Sequence, residues 1–140
     1  PKKLMLIDSN ILIYAINIYS PKSKVAGQFL KNNEKQLVIA HQNIFEAIRV
    51  LTHPKFGQSV TSKDAIKSVM SIASSSKVIT PNFKTHFLAL ELIERHNLVS
   101  NKVFDAYLAA TALSSEIDTI VTYNVKDFQN FPIKIINPFS

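Results

Sequence analysis

A chain of 140 residues has room for one domain and little more, so we predict a single domain over residues 1–140. Hydrophobic residues make up 46% of the sequence and charged residues 19%, which is enough for one sizeable core and argues against wholesale disorder. The lack of cysteine excludes disulfides, zinc ribbons and cysteine nucleophiles, and the two glycines are too few for a glycine-rich phosphate loop.

The charge balance favours polyanionic partners. Lys and Arg number 16 against 10 acids, which gives a net charge of +6 and a surface able to attract nucleic acid through counterion release. The lysines are spread along the chain, however, so a merely soluble surface also accounts for them. No apolar run approaches the roughly 20 residues of a membrane span, and Asp8 interrupts the apolar start before a signal-peptide core forms. We therefore predict a soluble, cytoplasmic protein, as the absence of cysteine also favours.

Short aliphatic runs alternate with longer stretches of helical spacing. The runs cover residues 4–7, 37–40, 77–80, 119–122 and 133–136, and Asp8 directly follows the first of them. Each run is too short for a helix and lacks polar alternation, as expected for strands buried on both faces of a parallel sheet.

The stretches between these runs have the spacing and the punctuation of helices. Ser20-Pro21, Thr61 or Ser62, and Asn101 can begin helices, whereas His53-Pro54 can end one. Apolar residues recur at helical spacing in residues 25–30, 44–51, 65–73, 87–93 and 103–113. The alternation predicts an α/β fold, namely a three-layer α/β/α sandwich with a central, mainly parallel sheet of four to five strands.

Four acids stand in apolar surroundings. Asp8 ends the first strand, Glu46 and Asp105 interrupt apolar helical stretches, and Asp127 follows the fourth strand. A buried carboxylate is costly unless it is paired or bound to a cation. Because ligand sites of parallel α/β sheets form beyond the carboxyl ends of the strands, all four acids can converge on one edge.

Each of these acids also has a purely structural explanation. Asp8 could cap the helix that follows it, and Glu46 could pair with Arg49 three residues on. Asp105 could favour the positive end of its helix, and Asp127 could be an exposed loop acid. Four such coincidences at strand ends are less economical than one shared site.

Converging carboxylates repel one another, and a hard divalent cation relieves the repulsion. Ligand sets made only of oxygen favour Mg²⁺ or Mn²⁺ over zinc. Such an ion can bind a phosphodiester oxygen, lower the pKa of a bound water and stabilise the leaving oxygen. The four acids therefore predict metal-assisted phosphodiester chemistry.

The same residues carry a family resemblance that covers the whole chain. Four motifs stand in order at residues 6–12 (LIDSNIL), 42–46 (QNIFE), 104–112 (FDAYLAATA) and 121–128 (VTYNVKDF). In this order and at these separations they resemble the PIN-domain family, and among its branches the VapC-like toxins of type II toxin–antitoxin pairs.

The resemblance implies a PIN-like sandwich that hydrolyses single-stranded or looped RNA with Mg²⁺ or Mn²⁺, leaving a 5′-phosphate. By position, Asp8, Glu46 and Asp105 would be the metal ligands and, together with Asp127, the catalytic acids. The supporting residues of the site would be Ser9, Asn10, Thr122 and Asn124.

The resemblance also implies partners. A cognate antitoxin would block the acidic pocket, with a basic side chain from its tail, and the chain would form a homodimer. The RNA target stays open, with tRNA and ribosomal RNA loops as the candidates.

One departure concerns the fourth acidic position of the family. That position often falls two residues after the threonine, where this sequence has Asn124, and Asp127 is left to supply the charge. We therefore predict one tightly held ion. Asn124 also favours an alternative, a non-catalytic PIN-type scaffold that binds RNA or protein without cutting. A receiver-like module with Asp8 as phosphoacceptor would leave Glu46 and Asp105 unexplained.

The aromatic residues and histidines have weaker patterns. Tyr14, Phe56 and Tyr123 could stack on RNA bases, although core packing is the default interpretation for most of them. No pair among the four histidines has metal-ligand spacing.

Overall fold

A five-stranded sheet forms the centre of the molecule. The computed structural model describes residues 3–140, so the first two residues of the predicted domain lie outside the described part. The strands are β1 (Met5–Ile7), β2 (Leu37–Ala40), β3 (Lys77–Ile79), β4 (Thr119–Val121) and β5 (Lys134–Ile136). They are paired in parallel in the order β3-β2-β1-β4-β5. The predicted parallel sheet is confirmed, and every predicted strand lies within one residue of its observed bounds.

Helices cover both faces of the sheet, which confirms the three-layer sandwich. They are α1 (Ser9–Ile16), α2 (Ser23–Asn32), α3 (His41–Thr52), α4 (Ser62–Ala73), α5 (Thr85–Arg95) and α6 (Lys102–Ser114). Helices α1 to α4 pack on one face of the sheet, and α5 and α6 pack on the other. No helix within residues 3–140 combines the length and the apolar character needed to cross a membrane.

Alternation along the strands divides the core between the two faces. Met5 and Ile7 point to the core that α1 to α4 cover, whereas Leu6 points to the core under α5 and α6. All three side chains are buried. The strands therefore need apolar residues at every position, and this is why they appear in the sequence as unbroken aliphatic runs.

The helix starts follow the predictions in part. Thr61 caps α4, with its side chain accepting a hydrogen bond from the Asp64 backbone N–H. The proposed start at Ser20-Pro21 is wrong, because α2 begins at Ser23 and the Ser20 hydroxyl instead accepts a hydrogen bond from the Lys22 N–H in a tight turn. Asn101 occupies the cap position of α6 without a side-chain cap.

The order of the strands places a crevice beside β1. From β1 the chain runs outward to β2 and β3, and then returns to lay β4 on the other side of β1. Such a reversal of strand order opens a crevice at the carboxyl ends of the two strands, where α/β proteins bind ligands. Asp8 follows β1 and Thr122 follows β4, so both residues lie at the mouth of this crevice.

Candidate metal centre at the carboxyl edge of the sheet

Asp8 joins the central strand to the first helix. Its backbone N–H extends the β1–β4 ladder by donating to the Val121 carbonyl at 3.0 Å, and its side chain caps α1 by accepting from the Ser9 N–H at 2.8 Å. The residue is only 7% exposed. The helix-capping explanation is therefore confirmed, but it uses only one of the two carboxylate oxygens.

The other oxygen of Asp8 belongs to a buried polar network. Oδ2 accepts hydrogen bonds from the Thr122 hydroxyl at 2.8 Å and from the Asn10 side-chain amide at 3.2 Å. Thr122 is fully buried, and its hydroxyl oxygen also accepts from the Asn10 amide at 3.2 Å and from the Asn124 N–H at 3.0 Å. The Asn10 side-chain oxygen Oδ1 in turn accepts from the Tyr123 backbone N–H at 3.2 Å. The first and fourth motifs are thus joined through one carboxylate.

Three donors leave part of the Asp8 carboxylate open. An ionised carboxylate offers about four lone-pair sites on its two oxygens. Thr122 and Asn10 use Oδ2, and the Ser9 N–H uses one site of Oδ1. The second site of Oδ1 remains for a ligand, and the surrounding hydrogen bonds hold the carboxylate in one orientation for it.

The pKa values show that the four acids lie within electrostatic reach of one another. Burial, together with the charges of Glu46 and Asp127, raises the pKa of Asp8 to about 6, although the hydrogen bonds from Thr122 and Ser9 lower it. Burial also raises the pKa of Asp105 to about 7. The charges of Asp127, Asp8 and Glu46 add to that rise, and Lys102 opposes it. This coupling supports the convergence of Asp8, Glu46, Asp105 and Asp127 on one edge, which stays a prediction.

Asp105 has little to compensate its charge. It lies in the first turn of α6, half-buried, and no donor within residues 3–140 makes a hydrogen bond or a salt bridge to its carboxylate. A half-buried carboxylate without partners, facing three other acids, is a strained arrangement that a cation would relieve.

A hydrated Mg²⁺ or Mn²⁺ ion fits this donor set. Over the described part of the chain, no three acidic or histidine side chains are grouped closely enough to enclose a metal ion by themselves. Mg²⁺ does not require such a cage, because it keeps several waters and is usually held by one or two carboxylates. Asp8 and Asp105 would hold such an ion, and the negative charges of Glu46 and Asp127 would add to its attraction.

In the absence of metal, the buried acids should make the protein less stable as the pH rises from about 4 to about 7. Because the pKa of Asp105 is raised to about 7, the folded chain keeps a proton that the unfolded chain has already released. In EDTA near pH 8, Asp105→Asn protein should therefore melt a few degrees above the wild type, and the two should converge near pH 4. Thermal unfolding followed by circular dichroism measures both, and equal melting temperatures near pH 8 would contradict the predicted strain.

The structural explanations offered for Glu46 and Asp127 are not supported by the structure. Glu46 is half-buried, and within residues 3–140 the pair with Arg49 is not formed. Asp127 is half-buried in a 3₁₀ turn, Val125–Asp127, rather than exposed in a loop. Of the supporting residues, Ser9 and Asn124 contribute their backbone N–H groups, and Asn124 itself is exposed.

Sequence reasoning gave no role to one residue that the structure places beside the site. The Gln42 side-chain amide, at the start of α3, donates a hydrogen bond to the Phe104 carbonyl at 3.1 Å. It therefore ties the helix that carries Glu46 to the first turn of the helix that carries Asp105. The Gln42 side-chain oxygen is buried without a partner in the described part of the chain. A polar residue at the start of an apolar helix was the only signal in the sequence.

The fold and the site define a class of protein: a parallel α/β/α sandwich with an acidic crevice at its strand order reversal. The family model described as the PIN domain matches residues 5–134. The chain therefore belongs to the PIN domain family, as its motifs predicted. A comparison with curated protein sequences finds no match.

Several solved structures with the same fold come from toxin–antitoxin systems. VapBC2 from Rickettsia felis, bound to a promoter DNA fragment, matches with a TM-score of 0.73 and 21% identity over 96% of this chain and 98% of that one. DNA-bound VapBC from Salmonella typhimurium matches with a TM-score of 0.73 and 18% identity over 98% and 99%. VapC20 from Mycobacterium tuberculosis, a sarcin-ricin loop cleaving toxin, matches with a TM-score of 0.68 and 11% identity over 90% and 94%. At these low sequence identities, the structural similarity establishes the fold of the chain and nothing beyond it.

Proposed function

We propose that the protein is a Mg²⁺- or Mn²⁺-dependent endoribonuclease and the toxin of a toxin–antitoxin pair. The observation that carries this proposal is the buried Asp8 carboxylate at the carboxyl end of β1, fixed by Thr122 and Asn10 and within electrostatic reach of three further acids. A structural core has no need of acids whose charges raise the pKa values of Asp8 and Asp105, and functional sites are where such groups collect.

The roles of the residues follow from their contacts. The bound ion would polarise the phosphodiester and lower the pKa of the attacking water. Asp8 and Asp105 would bind the ion, and Thr122 and Asn10 keep the Asp8 carboxylate oriented towards it. Glu46 and Asp127 would orient water at the site, because the charges of both carboxylates reach Asp8 and Asp105.

RNA is the proposed substrate. The net charge of +6 attracts the phosphate backbone towards a site whose own acids would otherwise repel it. The family motifs and the fold shared with VapC20, which cleaves the sarcin-ricin loop, support RNA as the polymer.

An antitoxin and a second copy of the chain are the proposed protein partners. Large apolar side chains lie exposed on α3, α5 and α6, among them Phe45 at 68%, Phe87 at 67%, Leu90 at 60% and Phe104 at 59%. Such a concentration of exposed apolar side chains is typical of protein interaction surfaces. The solved VapBC structures of the same fold support an antitoxin partner.

Cleavage of a mixed pool of tRNA and ribosomal RNA by purified, antitoxin-free protein tests the proposal. Cutting is expected in Mn²⁺ or Mg²⁺, with no cutting in EDTA. The new ends should carry 5′-phosphates, as the family resemblance implies, and attack by water excludes a 2′,3′-cyclic phosphate product. Products with 2′,3′-cyclic phosphate ends, or equal cutting in EDTA, would contradict the proposed metal-dependent mechanism.

Asn124 favours a second candidate, a scaffold that binds RNA or protein without cutting. Its side chain replaces an acid that the family often has at this position, and the residue contributes only a backbone N–H to Thr122. This candidate predicts RNA binding or protein binding with no cleavage in either metal ion.

A further inference from the structure

An aromatic cluster with one lysine adjoins the acidic crevice. The rings of Tyr14, Tyr123 and Phe139 pack edge to face, with centroid distances of 5.8 Å for Tyr14–Tyr123, 5.5 Å for Tyr14–Phe139 and 5.8 Å for Tyr123–Phe139. The Lys22 ammonium lies over two of these rings, 5.0 Å from the Tyr123 centroid and 5.7 Å from the Tyr14 centroid. These are distances at which a cation is attracted to a ring face.

The cluster is connected directly to the residues that hold Asp8. Tyr123 follows Thr122, and its backbone N–H donates to the Asn10 side chain, which itself contacts the Asp8 carboxylate. Tyr14 comes four residues after Asn10 on α1, so the two side chains lie on the same face of that helix, about 6 Å apart along its axis. The rings therefore begin about one helical turn from the acidic crevice.

Two features make this cluster more than core packing. Tyr123 is 42% exposed, although Tyr14 and Phe139 hold its ring in place from the side. Lys22 is half-buried, and within residues 3–140 it forms no salt bridge with any carboxylate. A fixed, accessible ring beside a positioned ammonium without an anion is the combination that single-stranded nucleic acid sites use.

We propose that Tyr123 and Lys22 form a nucleotide subsite of the candidate ribonuclease, in which an unpaired base stacks on Tyr123 and its phosphate contacts the Lys22 ammonium. The inference rests on the proposed function, because it places the strand next to the acids that would cut it. It deepens that function by selecting single-stranded RNA, since the bases of a duplex are already stacked and cannot reach a protein ring.

Binding of a short, fluorescein-labelled single-stranded RNA, followed by anisotropy in EDTA, tests the subsite without cleavage. Lys22→Met keeps an unbranched side chain against the rings and removes the charge. It should weaken RNA binding by about tenfold and make the plot of log binding constant against log salt concentration less steep by about 0.7. Lys31→Met, an exposed lysine of the same helix, is the matched control and should change the affinity little.

Stacking is tested separately at Tyr123. Tyr123→Ala should weaken binding by roughly fivefold to a hundredfold, whereas Tyr123→Phe keeps the ring and should bind as the wild type does. Melting temperatures of all variants identify any that unfold, and Tyr123→Leu, which keeps apolar bulk without a ring, replaces Tyr123→Ala if that variant does not fold.

The outcomes separate the subsite from the proposed nuclease. If Lys22→Met binds like Lys31→Met and Tyr123→Leu binds like Tyr123→Phe, the subsite is wrong even if the protein cuts RNA in Mn²⁺. Equal affinity for a duplex, or no RNA binding by the wild type, also overturns it. If the variants lose RNA affinity as expected while the wild type does not cut RNA, the subsite is supported and the proposed nuclease activity is contradicted.

Discussion

Asp8→Asn protein is expected to lose Mn²⁺ binding and to cut RNA more than a hundredfold more slowly than the wild type, while keeping its fold. The amide keeps an oxygen that can cap the Ser9 N–H, but it has lost the charge that attracts the ion. Loss of even an outer partner of a metal site lowers affinity or activity by about 10- to 100-fold, so loss of a primary ligand should cost more. Titration calorimetry with Mn²⁺ and initial cleavage rates measure the two effects.

Asp64→Asn is the matched control for this substitution. Asp64 is exposed in the first turn of α4, and its replacement makes the same change in charge away from the crevice. It should bind Mn²⁺ and cut RNA as the wild type does, and the circular dichroism spectra of all three proteins should agree. Mn²⁺ affinity in Asp8→Asn protein equal to that of Asp64→Asn protein would remove Asp8 from the metal site.

Thr122→Val should lower both the stability of the protein and its activity. The Thr122 hydroxyl is buried, donates to Asp8 and accepts from Asn10 and Asn124, and valine offers none of these bonds. Polar groups left buried without partners should reduce the free energy of unfolding by about 1–3 kcal/mol. A less firmly oriented Asp8 carboxylate should lower the cleavage rate by about 10- to 100-fold. Urea unfolding and initial rates at saturating Mn²⁺ measure these changes.

Two further variants separate orientation of Asp8 from general loss of stability. Thr122→Ser keeps the hydroxyl and should restore most of the cleavage rate. Thr119→Val removes a hydroxyl that is also buried, at the opposite end of β4, where it donates to Asp118. It should reduce stability without slowing cleavage. A Thr119→Val rate as low as that of Thr122→Val would assign the Thr122 effect to folding alone.

The sheet was predictable from the sequence because its strands are buried on both faces. Short aliphatic runs bounded by polar residues mark such strands closely, and all five were found to within one residue. The start of α2 was not found, because Ser20-Pro21 has the residue types of a helix cap while its side chain serves a turn that ends at Lys22. A cap and a turn use the same serine–backbone bond, and the local sequence does not separate them.

The four acids could be singled out in the sequence because each stands where an apolar neighbourhood makes it costly, and their shared role as a metal site stays a prediction. Contacts between distant parts of the chain could not be predicted in this way. The bond from Gln42 to Phe104 spans 62 residues, and the approach of Lys22 to Tyr123 joins two separate loops. No local pattern encodes such contacts, since the sheet brings the start of α3 and the first turn of α6 together, and brings the Lys22 turn to the carboxyl end of β4.

The proposed metal-dependent nuclease is tested most directly by the rate at which the wild type cuts the mixed RNA pool in Mn²⁺. The rate is measured beside Asp8→Asn protein at equal folded concentration. We expect that the wild type cuts, that EDTA stops the cutting and that Asp8→Asn protein leaves the RNA intact. Cutting by Asp8→Asn protein at the wild-type rate would contradict this expectation, because the carboxylate at the centre of the buried network would then have no part in the reaction.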